Sequence, residues 1–509
     1  MFEELFPVEL LPVLPIIIPL VAALIVALVG SISRRSCVGN IRNALAVLGF
    51  IVTLYSAYLL AKRVIDYGIQ TYVYNSNAPP LGVVFVADMF SVFLVVIFSL
   101  MGTIVSIYSL GYMKHDTGLT QYYTLLLVLI GAMNGVVLVG DLFTLYVFYE
   151  LMSIASYVLV AFRKDNWEPI EAGFKYLVMS SAGSTLVLLA MSYLYGMMGS
   201  LNLGYLANAM LHTTPQPIFY VLIALIIAGF GVKAAIVPFH FWLADAHPAA
   251  PSGISALLSG IVIKTGLYGI IRVGVLVFPI ALYNWPLLLS IFAVITITSG
   301  NLYALMQKDL KRLLAFSSVA QIGWIMLAFG TGTQFGFAAG IFGIANHAIV
   351  KGLLFLNAGA IIHAIGSRKL DDMAGLGKKS PIIGAFVAIG FLSLMGVPPM
   401  TGFWTKLLMF LSVVSVGGIY LVFAVIFLLN AAVVVVYYLR VLFKIWFSEP
   451  AETMEIEEGP TKSMIFALAA LSLLTIILGI YPEFLWHFAN SAASALTNLT
   501  QYINLVMSP

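Results

Sequence analysis

Six charged side chains lie inside long apolar stretches of the sequence: Glu150, Lys175, Lys233, Lys264, Lys351 and Lys406. Placing one such residue at the centre of a membrane helix costs roughly 2.5 to 3.5 kcal/mol. Charges found at this depth usually face the protein interior or a water-filled cavity, where they relay ions or protons. Because five of the six are lysines, we interpret the set as a row of titratable groups that moves protons or sodium ions through a membrane.

The first pair of interest combines Glu150, in DLFTLYVFYELM, with Lys233, in GFGVKAAIVPFHFW. A carboxylate held away from water must pair or take up a proton, and a desolvated lysine releases its proton more readily. A carboxylate that moves relative to a lysine would therefore load or release a proton, and we predict that these two residues act in this way. The alternative is a static buried salt bridge that only fixes helix packing, although such bridges contribute little net stability.

Further titratable residues continue the row. His347 and Lys351 are four positions apart, so on a helix they share a face and can pass a proton directly or through one water. Lys264 lies in the middle of SALLSGIVIKTGLYGIIRV, and Lys406 follows a proline-rich interruption of its span. Lys175 lies nearer a span end, where its long side chain can reach the membrane surface, so a structural role is as open as a functional one.

Four more polar residues are candidates for an entry or exit at a membrane face: His240, Asp245 and His247 in PFHFWLADAHPAAPS, and His363. Their spacing matches no specific metal motif, so we predict no metal site. The sequence also lacks a phosphate-binding loop and an H-E-x-x-H motif. A single cysteine allows neither an internal disulfide nor a cysteine-ligated iron–sulfur cluster in this chain alone. We therefore expect no cofactor in the chain itself.

The composition defines the surroundings of these residues. The 509 residues are 62% hydrophobic and only 9% charged, with a mean hydropathy of +1.06. Continuous apolar runs of roughly 20 residues predict an all-α polytopic membrane protein and exclude a barrel, whose strands alternate in polarity. The net charge of +3 is too small to indicate a nucleic-acid partner. The N-terminus lacks the basic segment of a signal peptide, so we expect the first apolar run to be retained.

The apolar runs predict about fourteen transmembrane helices. They lie near residues 10–30, 41–61, 83–112, 119–139, 141–162, 170–198, 216–239, 252–277, 284–306, 311–330, 334–364, 380–411, 416–447 and 462–486. Lysine and arginine concentrate in the loops after odd-numbered spans, which the positive-inside rule places in the cytoplasm. We therefore predict a multi-pass protein of the cell (plasma) membrane with both termini outside.

Two spans are interrupted by proline in a similar way. Pro238 interrupts span seven in KAAIVPFHFW, and Pro398 and Pro399 interrupt span twelve in LMGVPPMTGFW. Proline leaves a backbone carbonyl free, which a bilayer tolerates only where protein or water satisfies it. Interrupted helices at matching places in two halves indicate a repeat-built transporter and its ion path. Two unrelated proline kinks are the alternative.

Four segments of the sequence resemble one known family. They are residues 229–272, which begin GFGVKAAIVPFHFW, and LLAFSSVAQIGW (313–324), HAIVKGLLFLNAGAI (347–361) and VPPMTGFWTK (397–406). They resemble the antiporter-like membrane subunits of respiratory complex I, of Mrp-type sodium/proton antiporters and of membrane-bound NiFe hydrogenases. The variants APSGISALLSG and SSVAQIGW are more similar to the D-type Mrp and hydrogenase branch than to complex I proper.

The resemblance implies two inverted five-helix repeats with broken helices seven and twelve. The repeats would occupy 113–278 and 279–447, between N-terminal helices in 1–112 and a C-terminal segment in 448–509. The motif matches also imply roles for the titratable residues: a first half-channel at Glu150 and Lys233, a connecting site at Lys264, a link between the halves at His347 and Lys351, and the end of the second half-channel at Lys406.

These observations predict an ion-translocating subunit of a larger membrane complex, with the proton as the expected ion and other membrane subunits as partners. The chain carries no redox or hydrolytic chemistry of its own. We expect a redox-driven, hydrogenase-type complex whose NiFe centre and iron–sulfur clusters lie in partner subunits. Three alternatives remain: the D-type subunit of an Mrp sodium/proton antiporter without redox activity, a membrane subunit of a complex I-type quinone oxidoreductase, and a scaffold whose buried charges are frozen pairs.

Overall fold

The computed structural model describes residues 7–32, 36–74, 82–450, 456 and 458–507. Within these residues the chain forms one two-stranded antiparallel ribbon, β1 (Gln70–Val73) with β2 (Val84–Ala87), and a long series of helices. In chain order the helices are α1 (Leu14–Ile32), α2 (Ser36–Tyr67), α3 (Met89–Tyr112), α4 (Leu119–Leu138), α5 (Leu142–Val160), α6 (Trp167–Met198), α7 (Leu203–Leu211), α8 (Pro217–Ala234), α9 (Phe241–Ala249), α10 (Ser252–Leu257), α11 (Ile263–Val277), α12 (Trp285–Leu305), α13 (Leu310–Phe329), α14 (Gln334–Ile365), α15 (Leu376–Lys379), α16 (Pro381–Met395), α17 (Thr401–Val414), α18 (Tyr420–Phe447), α19 (Lys462–Ile480), α20 (Pro482–Thr497) and α21 (Leu499–Met507).

The helices follow the long apolar runs of the sequence. Among the described residues, thirteen helices are long and apolar enough to cross a membrane, and the bent pair Asp371–Lys379 with Pro381–Met395 raises the number to fourteen. A helix satisfies its backbone groups within its own segment, which is why a chain that spans a bilayer adopts it. The prediction of an all-α polytopic membrane protein with about fourteen transmembrane helices is confirmed.

The helices are arranged as a buried centre and an exposed rim. The continuous span Ser252–Val277 is entirely buried inside the protein, and α13 and α14 are nearly so. Large apolar side chains remain exposed on the rim helices α2, α6, α12 and α18. Apolar surface of this kind suits contact with lipid tails, so the central helices are the ones shielded from the bilayer.

Both predicted breaks are present. Helix α8 ends before Ala235, whose φ is 56°, and α16 ends before Gly396, whose φ is 87°. A residue in the left-handed region turns the chain out of the helix, and the prolines that follow cannot donate the next helical hydrogen bond. Helices α9 and α17 begin only after these prolines. The interruption of spans seven and twelve is therefore confirmed.

A second local feature recurs in the two halves of the chain. Asp141 and Asp309 accept hydrogen bonds from backbone N–H groups in the first turns of α5 and α13. Each aspartate also forms an isolated antiparallel bridge with a residue in the loop after the next long helix, Asn202 and Lys369 respectively. These shared caps and bridges are what two structural repeats would produce.

The start of the third span differs from the prediction. The apolar run predicts a helix from residue 83, but residues 84–87 form β2 and α3 begins at Met89. Asp88 and Ser91 form a reciprocal capping box at this point, which fixes where the helix can begin. The preceding residues are β-branched or aromatic and pair with β1 in the ribbon.

The end of the last span also differs. The apolar run predicts one helix over 462–486, whereas α19 ends at Ile480 and Pro482 opens α20. Proline is favoured in the first turn of a helix and disfavoured in its interior, so it separates the two. The acidic segment Glu452–Glu458, expected to be a short surface loop, lies mostly outside the described residues.

Helix α19 packs closely on the second break. A Cβ atom on Gly479 would collide with the carbonyl oxygen of Pro399. We expect Gly479→Val to destabilise the protein by about 1–3 kcal/mol or more, because the opposing atoms are backbone and cannot move aside. The thermal melting temperature of the purified complex measures this. Gly196→Val is the matched control, since a Cβ there meets nothing within 4 Å; equal melting temperatures for both variants would contradict the packing.

Candidate functional site

Lys233 lies in the last turn of α8, directly before the first break, and is 1% exposed. Its ammonium donates hydrogen bonds to Tyr176 Oη (3.0 Å) and Ser180 Oγ (2.8 Å), both on α6. Its Nζ also lies 5.5 Å and 4.6 Å from the ring centroids of Tyr149 and Tyr176, close enough for cation–π attraction. Lys233 is therefore held by neutral groups.

Glu150 lies on α5, within electrostatic range of Lys233. Among the described residues, however, no ion pair within 4.0 Å joins the two side chains, and Glu150 Oε1 is buried without a hydrogen-bond partner. The static salt bridge considered from the sequence is therefore not formed. That Glu150 acts on Lys233 by moving relative to it stays a prediction.

The structure joins Lys264 to His347. Lys264 Nζ lies 2.6 Å from His347 Nδ1, and both side chains are buried. Helical spacing pairs His347 with Lys351 instead, but the described contacts of Lys351 are on α13. The hydrogen bond of His347 thus joins α14 to α11, and proton transfer between His347 and Lys351 stays a prediction. The imidazole and the amine at this contact can share one proton, since each has a lone pair in its neutral form.

A π-helical segment, Leu258–Val262, lies directly before Lys264. The Lys264 ammonium donates a hydrogen bond to the main-chain carbonyl of Ser259 in this segment. A π turn shifts the helical register, so the residues that follow it face a different direction, and such turns are frequent at functional sites. The apolar periodicity of the sequence did not indicate it.

Lys351 lies on α14, and its ammonium donates hydrogen bonds to a main-chain carbonyl of α13 and to Ser317 Oγ. The next residue, Ser318, places its Oγ 2.7 Å from Ser259 Oγ. A hydroxyl both donates and accepts hydrogen bonds, and the Ser259–Ser318 contact places two hydroxyls between the surroundings of Lys264 and those of Lys351. None of the three serines was predicted as a site residue, although the two on α13 stand within LLAFSSVAQIGW.

Lys406 lies on α17, and its ammonium donates a hydrogen bond to the carbonyl of Met395 (2.9 Å). Met395 is the last residue of α16, so its carbonyl is one of those that the second break frees from the helix. Lys406 Nζ also lies 5.1 Å from the ring centroid of Trp324. The Trp324 Nε1 and Gln321 Nε2 atoms are buried without partners among the described residues. Such atoms normally bond to protein or to ordered water.

Lys175 lies apart from this row. Its side chain is 48% exposed and forms ion pairs with Glu171 (2.8 Å) and Asp245 (3.1 Å). Arg312 Nη2 approaches the same aspartate at 3.9 Å. The structure therefore places Lys175 and Asp245 together in a surface ion-pair network, apart from the other lysines of the row.

The three candidate histidines have different surroundings. His240 and His247 are buried, and none of their ring nitrogens has a hydrogen-bond partner among the described residues. The His247 ring stacks on Phe355 at 4.4 Å between centroids. His363 lies near the end of α14, with Nε2 3.4 Å from a carboxylate oxygen of Glu458. Among the described residues, His363 therefore has a carboxylate neighbour, which His240 and His247 lack.

The groups that hold the other four lysines of the row are neutral. Lys233, Lys264, Lys351 and Lys406 bond to hydroxyls, main-chain carbonyls and one imidazole. In the described part of the chain, no carboxylate lies within 4.0 Å of them, and no three metal-ligating side chains come together. A tightly bound carboxylate would fix the charge on a lysine, whereas neutral partners permit both protonation states. This arrangement is chemically suited to proton exchange.

The sequence profile of the family described as "NADH:quinone oxidoreductase/Mrp antiporter, TM" matches residues 139–430, which is more than half of the chain. The chain belongs to this family. A second profile, described as "NADH-Ubiquinone oxidoreductase (complex I), chain 5 N-terminus", matches residues 75–123. The resemblance inferred from the sequence motifs is confirmed, and the first match includes Lys233, Lys264, Lys351 and Lys406.

Individual relatives match this family member over most of its length. The N-type subunit of the F(420)H(2) dehydrogenase of Methanosarcina mazei is 33% identical over 470 residues, covering 88% of this chain and 93% of its own. The D-type subunit of the Na(+)/H(+) antiporter of Alkalihalophilus pseudofirmus is 29% identical over 497 residues, covering 98% of this chain and 99% of its own. A chain of the membrane-bound sulfane sulfur reductase, an archaeal respiratory membrane complex, superimposes with a TM-score of 0.90 at 30% identity. The match covers 97% of this chain and 99% of the reductase chain.

Proposed function

We propose that this protein is the ion-translocating, antiporter-like subunit of a multi-subunit membrane complex, and that the ion is the proton. The observation that carries the proposal is the row of three buried lysines and the half-buried Lys406, whose hydrogen-bond partners are all neutral. A scaffold with frozen charges would hold its lysines in fixed ion pairs, and the described residues form none at these four. The relatives support the assembly, since two are named as subunits and the third belongs to a respiratory membrane complex.

A proton would move along this row in sequence. Glu150 shifts relative to Lys233 and so changes the proton affinity of the lysine. The proton then passes to Lys264 and His347, whose bonded nitrogens are 2.6 Å apart. From there the proton passes along the hydroxyls of Ser259, Ser318 and Ser317 to Lys351. Lys406, on α17 at the second break, exchanges the proton with one side of the membrane.

The repeats and the orientation belong to the same proposal. Residues 113–278 and 279–447 would form the two inverted repeats, flanked by 1–112 and 448–509. The paired breaks and the matching caps at Asp141 and Asp309 support this division. The loops after odd-numbered spans are rich in lysine and arginine and would face the cytoplasm, with both termini outside the plasma membrane.

For the whole complex we favour a redox-driven assembly related to membrane-bound hydrogenases. The relative at 33% identity is named as part of a dehydrogenase and the structure at a TM-score of 0.90 is a reductase, while the antiporter relative is 29% identical. NiFe and iron–sulfur centres would lie in partner subunits, because this chain has too few cysteines to ligate a cluster. The D-type subunit of an Mrp antiporter and a membrane subunit of a complex I-type quinone oxidoreductase are the alternatives.

Transport by the intact complex in inverted vesicles tests the proposal, with wild type compared with Lys406→Ala. Vesicles are driven first with electron donors and then with an imposed pH gradient, while internal pH and radioactive sodium uptake are recorded. We expect donor-driven acidification that Lys406→Ala abolishes and that the control Lys462→Ala, at an exposed lysine, leaves intact. Gradient-driven sodium exchange without any donor would identify the antiporter instead. Unchanged transport in Lys406→Ala would contradict the proposal and favour the alternative of a scaffold with frozen charges.

A further inference from the structure

Lys311 is a buried lysine that the row described above does not use. It is the second residue of α13 and is only 3% exposed. Its ammonium donates a hydrogen bond to the carbonyl of Ala250 (2.8 Å), the residue directly after α9. No carboxylate lies within 4.0 Å of its nitrogen in the described part of the chain. Lys311 therefore resembles Lys233, Lys264 and Lys351 in being buried and in having a neutral partner.

A charged cavity is lined in part by Arg312, the residue that follows Lys311, although Lys311 itself is not in the lining. It has a volume of about 120 Å³ and is lined by the charged residues Glu168, Glu171, Lys175, Asp245, Arg312 and Arg368. At about 30 Å³ per molecule, this volume holds roughly four waters, and the lining offers each of them polar partners. Lys311 is within electrostatic range of Arg368 and Glu168 on its wall. The Arg368 guanidinium also donates a hydrogen bond to the carbonyl of Pro248 (3.3 Å), close to where Lys311 binds.

His247 lies near Lys311 but is not among the residues that line the cavity. Its ring is fully buried, and neither nitrogen has a hydrogen-bond partner among the described residues. It is within electrostatic range of Lys311, Lys264 and Lys351 together. An imidazole that accepts a proton at one nitrogen can release one from the other. Its position near all three lysines therefore suits a relay from Lys311 to the centre of the row.

We propose that Lys311 and His247 form a proton entry branch, which leads from the cavity between α6, α9 and α13 to the Lys264–His347 pair. The inference rests on the proposed function and gives that function an access point. In each cycle the ammonium of Lys311 transfers one proton to the neutral imidazole of His247, directly or through water. His247 passes a proton to the pair, and the amine of Lys311 takes up another from the cavity water. No electron moves in these steps.

A purely structural explanation of Lys311 has to be separated from this one. A cation at the C-terminus of a helix is favourable, so Lys311 could serve only to cap α9. Arginine would keep such a cap because it carries the same charge, but it does not release its proton in proteins. Lys311→Arg therefore distinguishes the two roles, and Lys311→Met removes both.

Transport by the intact complex in vesicles is the first test. We expect Lys311→Arg, Lys311→Met and His247→Phe each to lower proton transport by a factor of roughly 100, the usual effect of removing a proton-transfer group. Lys308→Met is the matched control, at an exposed lysine three positions away. Wild-type transport in Lys311→Arg would reduce Lys311 to a helix cap and overturn the branch. If the Lys311 and His247 variants and Lys406→Ala all transport normally, the proposed function is wrong together with the branch. If the Lys311 and His247 variants transport normally but Lys406→Ala does not, only the branch is wrong.

Chemical access provides a readout that does not depend on transport. The chain has one native cysteine, so Cys37→Ser gives a background in which His247→Cys can be probed with a small cationic methanethiosulfonate reagent. We expect His247→Cys to be modified in the intact complex, because the proposed branch would connect this position to the cavity water. Leu267→Cys, which is equally buried on α11, should stay unmodified. Equal protection at both positions would show that no such opening exists.

Discussion

We expect Lys233→Ala to lower proton transport by the complex by a factor of roughly 100 or more, as the loss of a proton-exchanging group does. Lys233 is the buried lysine nearest the first break, and the groups bonded to it on α6 are two hydroxyls that cannot replace it as a base at neutral pH. Glu150→Gln should give a comparable loss, because an amide keeps the shape of the carboxylate but not its charge. Initial rates of acidification in vesicles measure both effects.

Two controls separate this loss from a defect in folding. Lys233→Met keeps most of the side-chain volume, so packing is preserved while proton exchange is not, and it should be as inactive as the alanine variant. Lys62→Ala, at an exposed lysine on α2, should transport normally. All variants should purify with their partner subunits in wild-type amounts, since the lysine forms no ion pair within 4.0 Å that its removal would break. Normal pumping by Lys233→Ala would refute the translocation path.

The broken helices and the buried lysines could be predicted because each depends on a local property of the chain. Inserting a lysine such as Lys264 into a membrane costs free energy wherever the surrounding run is apolar. Its position in the sequence alone therefore identifies it as a candidate functional residue. A proline such as Pro238 lacks the N–H that a helix needs, whatever packs around it. Both kinds of signal are present without knowledge of the tertiary structure, and the structure contains the corresponding features.

The partners of the lysines could not be predicted, because they depend on how helices far apart in sequence pack. Spacing on α14 favoured a His347–Lys351 contact, but the π segment before Lys264 and the close approach of α11 bring Lys264 to the histidine instead. Serines such as Ser259 are common in membrane helices, so nothing in the sequence separated those of the path from the others. The sequence likewise predicted that Glu150 lies in the same region as Lys233, but not which group it would bond to.

Two residues near predicted span ends show the same limit. Lys311 stands at the first position of the predicted span 311–330, where a lysine is expected at the membrane surface. In the structure it is buried against the end of α9. Arg272 also lies near a predicted span end, but it forms a fully buried pair with Asp88, with nitrogen–oxygen distances of 2.5 and 2.8 Å. This pair joins α11 to the cap of α3. Hydropathy sets span ends only approximately, so it cannot tell a surface cation from one folded inward.

The contact between Lys264 and His347 leads to the second large effect. We expect His347→Asn to lower proton transport by a factor of roughly 100. Asparagine places an oxygen close to the position of the imidazole Nδ1, so the hydrogen bond from Lys264 is kept, but the amide cannot carry a proton onward. Lys264→Met should be equally inactive, because it removes the donor at the same contact. Acidification rates in vesicles measure both, and His212→Asn, at an exposed histidine, is the matched control.

The pattern across these variants distinguishes a shared proton from a structural hydrogen bond. If the contact only held α11 against α14, His347→Asn would retain both the bond and transport, while Lys264→Met would lose stability. If the two bases share a proton in transit, His347→Asn would be inactive in a complex whose melting temperature is unchanged. The asparagine variant therefore gives opposite results under the two explanations. Full transport by it would exclude His347 as a carrier and leave the hydroxyl connection through Ser259 and Ser318 as the route from Lys264 to Lys351.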